Sequence, residues 1–313
     1  MRRIAHLFLP ALLVGLLAAC GGDGSSTSSE GLPEVKGAYG TKPKVTVAKD
    51  TKPAKKLQSE VLSKGTGPKV AEGDLLVADY LGKVFRSGKV FDNSYDRGAP
   101  SSFTLKTGQG GVISGWVKTL AGVPVGSRVL LVAPPKEGYG KAGNPQAGIK
   151  GSDSLVFVVD LIAAYNAKTA VPESTPVADL PDTLPTVTGD AEPTITIAKG
   201  AAPPTEPKTT VIATGTGPKV VKGDLGVVQF SAVSWAGDPL RTTWATGPEG
   251  VAIGGQQPSP FDLLVGIPIG SRVLLELPAQ EGADAATESV AVVIDVIAQH
   301  GPAGADSKQG EKK

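Results

Sequence analysis

Residues 112–128 read Val-Ile-Ser-Gly-Trp-Val-Lys-Thr-Leu-Ala-Gly-Val-Pro-Val-Gly-Ser-Arg and contain the one convincing helix signal in the first half of the chain. Trp116 and Leu120 stand four residues apart, on one face of a helix, and Gly122 offers a stop. The neighbouring apolar runs are short, and Gly, Pro, Asp or Ser bounds them, which is typical of strands. These runs cover residues 57–62, 75–80, 102–105, 128–133 and 155–163. Several strands with one short helix predict an α+β domain with an antiparallel sheet.

The same stretch carries one part of an internal repeat. Three segments of the first copy return in the second: 32–37 at 184–189, 65–75 at 215–225, and 125–131 at 269–275. The strands predicted at 45–49 and 195–199 also correspond. A chain of 313 residues is long enough for two domains, each with a core of its own. The repeat therefore predicts two domains of one fold, at residues 32–166 and 184–300.

The segments outside the two copies have the composition of a signal and of linkers. Arg2 and Arg3 precede an apolar run, residues 7–19, that is shorter than the roughly 20 residues needed to span a bilayer. With Leu-Ala-Ala before Cys20, the only cysteine, residues 1–19 resemble a bacterial lipoprotein signal that leaves a lipid on Cys20. An ordinary secretory peptide and an uncleaved anchor are the alternatives. The pattern predicts a protein outside the cytoplasm, anchored to the cell membrane by its N-terminal lipid.

Three further segments are predicted to lack a core of their own. Residues 20–31 are rich in Gly and Ser and are predicted to form a flexible tether. Residues 167–183 are rich in Pro, Ala and Thr and are predicted to form a semi-extended linker, and residues 301–313 a disordered tail.

Composition excludes several classes of function. The 31 basic and 30 acidic residues nearly balance, and no stretch combines basic residues with exposed aromatics, so nucleic acid is not an expected partner. Beyond the predicted signal, the only histidine is His300, near the end of the second copy. The first copy therefore lacks the material for a Ser-His-Asp triad or a histidine zinc site. We expect neither a metal nor a cofactor.

Aromatic residues are distributed unequally between the two copies. All five tyrosines, at positions 39, 80, 95, 139 and 165, lie in the first copy, together with Phe91, Phe103, Trp116 and Phe157. The second copy keeps only Phe230, Trp235, Trp244 and Phe261. Because aromatic side chains supply much of the surface of apolar binding sites, the asymmetry predicts one working site, in the first copy.

The order of several motifs between residues 57 and 163 resembles the FK506-binding-protein family of peptidyl-prolyl cis-trans isomerases. These motifs are Tyr80-Leu81-Gly82, Gly88 to Ser94, Phe103-Thr104-Leu105, Val112 to Trp116, Val125 to Arg128, Pro134-Pro135 with Tyr139-Gly140, and Leu155-Val156-Phe157. The resemblance implies two α+β domains, each a curved antiparallel sheet wrapped around a short helix. It also implies proline-containing unfolded or secreted polypeptides as partners, and macrolides of the FK506 type as ligands.

The resemblance also assigns roles within one pocket. Trp116 matches the pocket floor, and Tyr80, Phe91, Val112, Ile113 and Phe157 match its walls. Asp92 and Tyr139 match polar groups near the carbonyl of the bound proline, and the backbone N–H of Ile113 matches a donor to the ligand. Arg97, Phe103 and Ile149 match further substrate-binding residues. The chain departs from the family pattern at Ser101, Gly111 and Asn144, which bears on substrate preference.

The second copy lacks most of these residues when it is aligned on the repeated segments. Phe230 corresponds to Tyr80, Leu240-Arg241 to Phe91-Asp92, and Val292 to Phe157, while Pro260-Phe261 falls near Trp116. We therefore predict a degenerate, inactive second domain in a membrane-tethered, extracytoplasmic isomerase that assists the folding of secreted proteins. The alternative is a non-catalytic lipoprotein or chaperone that binds a peptide or protein.

Overall fold

A computed structural model gives the architecture of residues 32–53, 55–280 and 288–302. Cys20, the predicted signal and tether, and residues 303–313 of the predicted tail lie outside these residues. The strands are β1 (Glu34–Lys36), β2 (Lys44–Thr46), β3 (Gln58–Ser63), β4 (Leu75–Val84), β5 (Val90–Asn93), β6 (Ser101–Thr104), β7 (Arg128–Ala133), β8 (Leu155–Tyr165), β9 (Ser174–Pro176), β10 (Thr186–Thr188), β11 (Thr194–Thr196), β12 (Lys208–Gly215), β13 (Leu225–Ser234), β14 (Pro239–Thr242), β15 (Glu249–Ala252), β16 (Arg272–Leu277) and β17 (Val290–His300). The α-helix α1 spans Ser114–Leu120, and 3₁₀ turns lie at Tyr95–Arg97, Pro135–Glu137, Gly140–Ala142, Pro145–Ala147 and Pro260–Leu264.

The first lobe, residues 32–166, contains an antiparallel sheet with strand order β3-β7-β8-β4-β5, in which β6 also pairs with β4. The long central strands β4 and β8 are buried over most of their length, as the apolar sequence of each predicts. The helix α1 packs against β7 and buries Trp116, Val117 and Leu120. This α+β arrangement is the one predicted, and it places Trp116 beneath the inner face of the sheet.

A two-stranded hairpin, β1 with β2, covers the outer face of the same sheet. Its Val45 belongs to a buried apolar cluster with Leu130 and Val158 of the central strands. The guanidinium of Arg128 fastens the hairpin, because it donates to the carbonyls of Gly37 and Thr41 at 2.6 Å each while its other N–H groups bind Asp160. Both faces of the sheet are therefore covered by other parts of the chain.

The second lobe, residues 174–300, repeats this topology. Its sheet has the order β14-β13-β17-β16-β12-β9, with β15 paired to β13, and the hairpin β10-β11 forms a separate two-stranded sheet. Arg272 repeats the role of Arg128 by binding Asp295 and the carbonyls of Gly189 and Asp190. Strand β9 lies within the segment predicted as a linker and extends the edge of the second sheet by pairing with β12.

The expectation of a short α-helix in each lobe is wrong for the second lobe. The position of Trp116 is held there by Pro260, which begins a single 3₁₀ turn that ends at Leu264. Pro258 stands two residues earlier, and a residue that precedes proline is driven away from helical backbone angles. The helix therefore has no room to begin before Pro260, and too few residues remain for a regular α-helix.

The two lobes meet through equivalent surfaces. The inter-lobe face is one buried apolar cluster made of Leu75 and Val77 from β4, Leu225 and Val227 from β13, and Ile297 from β17. The strand registers make Leu75 equivalent to Leu225, and Tyr165, opposite Leu75, equivalent to His300, opposite Leu225. The hydroxyl of Tyr165 lies 2.8 Å from Nε2 of His300. Each lobe thus offers the same patch to the other, as in an isologous interface.

Within the described ranges, none of the helices combines the length and the apolar composition required to span a bilayer.

Candidate active site

A cavity of about 470 Å³ opens in the first lobe between the start of α1 and the inner face of the sheet. Strands β4, β5, β6 and β8 supply its aromatic walls, and the segments before α1 and after β7 supply its mouth. The lining residues are Tyr80, Phe91, Asp92, Phe103, Thr107, Gly108, Gly111, Val112, Ile113, Ser114, Trp116, Gly138, Tyr139 and Phe157. Cavities of this size and composition are typical of small-molecule and peptide sites.

The floor of the cavity is a cluster of aromatic rings around Trp116. Its indole is 3% exposed, and the rings of Tyr80, Phe103 and Phe157 meet it edge to face at centroid distances of 5.6, 5.0 and 5.5 Å. Phe91 continues the cluster by meeting Phe157 at 5.6 Å. Edge-to-face pairs of this kind stabilise fixed ring positions, so the cluster forms a rigid apolar surface.

Gly82 makes room for this arrangement on β4. A Cβ at Gly82 would lie 2.6 Å from Cζ of Phe91 and 3.1 Å from Cε1 of Phe157, well inside ordinary contact distance. The ring of Phe91 therefore lies across the backbone of Gly82. Strand register makes Ala232 the equivalent of Gly82 in the second lobe, where the counterpart of Phe91 is Leu240, whose side chain is 54% exposed.

The rim of the cavity carries a polar network centred on Asp92. One carboxylate oxygen accepts a short hydrogen bond from the hydroxyl of Tyr80, and the other accepts from Nη1 of Arg97 at 2.5 Å. Nη2 of Arg97 donates to the Tyr80 hydroxyl at 3.1 Å and to the Ser101 hydroxyl at 2.8 Å. Both oxygens of Asp92 are therefore held, and the network fixes the orientation of the Tyr80 hydroxyl at the edge of the apolar surface.

Burial, followed by the hydrogen bond to Asp92, raises the pKa of Tyr80 to about 12. The phenol is therefore neutral throughout the physiological range and serves as a hydrogen-bond donor. Among the residues that the structure describes, no lysine, histidine or cysteine lines the cavity, and Asp92 is already bound by two donors. The lining therefore suits chemistry that depends on shape, desolvation and hydrogen bonding, without a nucleophile or a mobile proton.

The loop before α1 supplies the mouth of the cavity. The N–H of Val112 donates to the carbonyl of Lys106 at 2.8 Å, and a Cβ at Gly111 would lie 2.0 Å from that same carbonyl oxygen. This loop conformation therefore requires glycine at position 111. Within the described residues, the N–H of Ile113 donates to no other group, and so it can bind a carbonyl oxygen in the cavity.

The structure brings nine of the sequence-predicted site residues together around the cavity: Tyr80, Phe91, Asp92, Phe103, Val112, Ile113, Trp116, Tyr139 and Phe157. Arg97 stands behind the lining and acts on it through Asp92 and Tyr80. Ile149 does not line the cavity. It is 3% exposed and packs in the core of the first lobe, where its backbone forms a short antiparallel bridge with Asn144.

Sequence reasoning missed five lining residues: Thr107, Gly108, Gly111, Ser114 and Gly138. All five are small, and of these only Gly111 was noted in connection with the site, as a departure from the family pattern. Their place in the two segments that flank Val112 and Tyr139 was the available signal, because backbone near an aromatic pocket is exposed to the ligand wherever side chains are small.

Both segments that complete the mouth are shorter in the second lobe. Equivalent backbone hydrogen bonds make Leu105 the counterpart of Ile253 and Val123 the counterpart of Ile267. The segment between Leu105 and Val123 has 17 residues, and the segment between Ile253 and Ile267 has 13. The connection from β7 to β8 has 21 residues, and that from β16 to β17 has 12. Registers confirm the alignment of Phe230, Arg241 and Val292 with Tyr80, Asp92 and Phe157.

Comparison with known proteins gives one family for the first lobe. The family model described as FKBP-type peptidyl-prolyl cis-trans isomerase matches residues 67–162. An FK506-binding protein of Streptomyces anulatus is 39% identical over 99 residues, which cover 32% of this chain and 78% of that protein. A probable FK506-binding protein of Corynebacterium glutamicum is 38% identical over 102 residues, which cover 32% of this chain and 80% of that protein.

Longer relatives match over a smaller share of their length. The FKBP-type peptidyl-prolyl cis-trans isomerase FkpA of Escherichia coli (strain K12) is 41% identical over 120 residues, which cover 38% of this chain and 41% of that protein. The crystal structure of FkpA from Escherichia coli aligns with 42% identity over 34% of this chain and 47% of that one, at a TM-score of 0.31. The chain thus spans less than half the length of FkpA.

Proposed function

Because this chain belongs to the family of FKBP-type peptidyl-prolyl cis-trans isomerases, we propose that its first lobe catalyses the cis-trans isomerisation of peptide bonds that precede proline. The observation that supports this most directly is the aromatic cavity around Trp116, with the Asp92 network at its rim. Its substrates are proline-containing unfolded or secreted polypeptides, and macrolides of the FK506 type are its expected inhibitors.

The reaction that we propose matches the chemistry of the lining. Rotation about a peptide bond breaks amide resonance at a barrier of roughly 18–20 kcal/mol, and no proton needs to move. A twisted amide has a more ketone-like carbonyl that needs less solvation than the planar amide. A dry aromatic surface with one backbone donor, the N–H of Ile113, therefore binds the twisted form better. Lowering the barrier by roughly 4 kcal/mol would accelerate the rotation about a thousandfold.

We propose that the second lobe is a degenerate domain of the same family without isomerase activity. The position of Trp116 is held by Pro260, that of Phe157 by Val292 and that of Asp92 by Arg241. The Cζ atom of Arg241 lies 5.2 Å from the ring centroid of Phe230, much as that of Arg97 lies 5.5 Å from the ring centroid of Tyr80, so we attribute the loss of activity to the three replaced residues and not to this cation.

The test is a protease-coupled isomerisation assay on the full chain with a short proline peptide. Combining Asp92→Val with Tyr139→Phe should lower kcat/KM at least tenfold while the circular dichroism spectrum stays unchanged. The matched control, Phe261→Leu, alters the corresponding face of the second lobe and should leave kcat/KM within twofold of the wild-type value. Binding of the peptide without turnover in the wild-type chain would favour the alternative, a non-catalytic binding protein.

We also propose that the protein acts outside the cytoplasm and is held at the membrane by a lipid on Cys20. The sequence pattern of residues 1–20 supports this, since a charged start, a short apolar run and Leu-Ala-Ala precede the cysteine. Metabolic labelling with radioactive palmitate should mark the wild-type protein in the membrane fraction, and Cys20→Ser should remain unlabelled. Labelling that survives Cys20→Ser would refute the assignment.

A further inference from the structure

A second cavity, of about 600 Å³, lies between the two lobes and directly beside the candidate active site. We call it the inter-lobe groove. The first lobe contributes β6 and part of the loop before α1, and the second lobe contributes β14, β15 and the turn between them. Phe103 and Gly111 line both the groove and the active-site cavity. The two spaces therefore share a wall and lie next to each other.

The close approach of β15 to β6 forms the groove. A Cβ at Gly250 would lie 2.2 Å from Oγ and 2.5 Å from Cβ of Ser102, so β15 reaches this distance only because position 250 has no side chain. The buried inter-lobe face lies alongside, since Leu75 belongs to that face and also lines the groove. The groove is therefore a consequence of how the lobes pack.

The walls of the groove carry an unequal set of charges. On the second lobe, the guanidinium of Arg241 forms a short ion pair with Glu249 and also stacks on Phe230, so the charges of that pair cancel. On the first lobe, Lys106 is exposed and forms no ion pair with any described residue. The charged side chains that line the groove therefore leave one net positive charge, which favours an acidic group.

We propose that the inter-lobe groove binds the residues that flank the proline of an extended polypeptide, with a preference for an acidic flank. The proposal rests on the proposed function, since it takes the first cavity as the proline site. A polypeptide centred on that cavity has to leave it on both sides, and an extended chain advances only about 3.3 Å per residue. Residues within a few positions of the proline therefore reach the shared wall at Phe103 and Gly111.

This subsite would give the second lobe a role that does not need a proline pocket. Arg241 occupies the position of Asp92 and lies over the ring of Phe230, and both Arg241 and its ion-pair partner Glu249 line the groove. The arginine at the position of Asp92 thus forms part of the groove wall beside the site of the first lobe.

The test measures the binding of three fluorescent peptides to the full chain by anisotropy. One is a four-residue peptide with a single proline, and two are twelve-residue peptides that extend it on both sides with glutamates or with lysines. Thr246→Trp fills the groove, because Thr246 is an exposed lining residue. Thr205→Trp, at an exposed position of the second lobe outside the groove, is the matched control.

The glutamate peptide should bind wild type about tenfold more tightly than the four-residue peptide, and at least threefold more tightly than the lysine peptide. Thr246→Trp should remove this gain in affinity and leave the affinity of the four-residue peptide unchanged, whereas Thr205→Trp should retain the gain. Lys106→Glu should reverse the preference, so that the lysine peptide binds more tightly than the glutamate peptide. The proposal is overturned if the longer peptides bind no more tightly than the four-residue peptide, or if the gain in affinity survives Thr246→Trp. It is also overturned if Thr246→Trp weakens the binding of all three peptides equally. A failure of the proposed function would be seen separately, as the absence of turnover of the four-residue peptide.

Discussion

Replacing Gly82 by alanine should impair the active site through a single methyl group. The added Cβ would lie 2.6 Å from Cζ of Phe91, whereas ordinary contacts begin at 3.4 Å, so the ring has to retreat by about 0.8 Å. Overpacking of this kind costs about 1–3 kcal/mol, and the edge-to-face pair between Phe91 and Phe157 would be weakened as well. If that energy is lost from transition-state binding, kcat/KM falls about 5- to 160-fold.

The assay is protease-coupled isomerisation of a short proline peptide by the full chain, together with denaturant unfolding of each variant. Ala232→Gly is the matched control, because it makes the reverse exchange at the equivalent position of the second lobe. It should leave kcat/KM within twofold of wild type. Phe91→Leu should lower activity by itself, and combining it with Gly82→Ala reproduces the residue pair of the second lobe.

The double variant distinguishes a steric effect at Phe91 from a general loss of stability. If the methyl group acts through the Phe91 ring, Gly82→Ala should cost much less stability in the Phe91→Leu background than in wild type, by roughly 0.5–3 kcal/mol. Activity of Gly82→Ala within twofold of wild type, or strictly additive stability losses, would refute the reasoning.

Three further predictions concern charged and titratable groups. Because the pKa of Tyr80 is raised to about 12 and no histidine is among the described residues that line the cavity, kcat/KM should be flat between about pH 6 and pH 9. The stability that depends on the neutral phenol should be complete below pH 10 and decline as the pH rises toward 12. The hydrogen bonds from Lys118 and Ser114 lower the pKa of Glu137 below 4.5. The ionised Glu137 therefore stabilises the fold above pH 4.5, and this stabilisation is lost on acidification. In Lys118→Met, the unfolding free energy should fall less between pH 7 and low pH than it does in wild type. Arg128→Met leaves the buried carboxylate of Asp160 without its cation, with only the N–H of Gly40 and the hydroxyl of Tyr95 as donors among the described residues, and should cost about 3–5 kcal/mol in denaturant unfolding. An unchanged unfolding midpoint would contradict this.

Local sequence patterns were sufficient to predict most strands and the helix of the first lobe, but the predicted runs did not include β1 or β5. Apolar runs bounded by turn residues gave β3, β4, β6, β7 and β8, and the spacing of Trp116 and Leu120 gave α1. Strand β4 nevertheless continues to Val84, four residues beyond its predicted end, and β8 continues to Tyr165. The spacing of apolar residues and the composition show that a segment is extended. The residue at which the strand ends depends on its partner strands, which are distant in sequence.

The members of the site were predictable from the order of the family motifs, but their packing was not. Gly82 was part of a motif, and nothing in the sequence indicated that the ring of Phe91 lies across it. Ile149 had the right residue type and loop position, yet it faces the core. Both cases depend on the direction of a side chain in the folded structure, which the residue type alone does not specify.

The inter-lobe face was also hidden in the sequence. Leu75 and Val77 read as ordinary core residues of a buried strand, and so do their counterparts Leu225 and Val227. An apolar pattern indicates that a side chain is buried, but it does not indicate whether the same lobe or the other lobe covers it.

The equivalence of the two halves of the inter-lobe face has an evolutionary consequence. A patch that matches its own copy would join two identical single-lobe chains as a symmetric homodimer, in which every substitution appears on both sides of the axis. Fusion of the two copies into one chain makes the same association intramolecular, at an effective concentration in the millimolar range or above, so it no longer depends on the amount of protein present. It also frees each half to mutate alone. One half could then keep a pocket while the other gave it up, an asymmetry that a homodimer encoded by a single short gene could not reach.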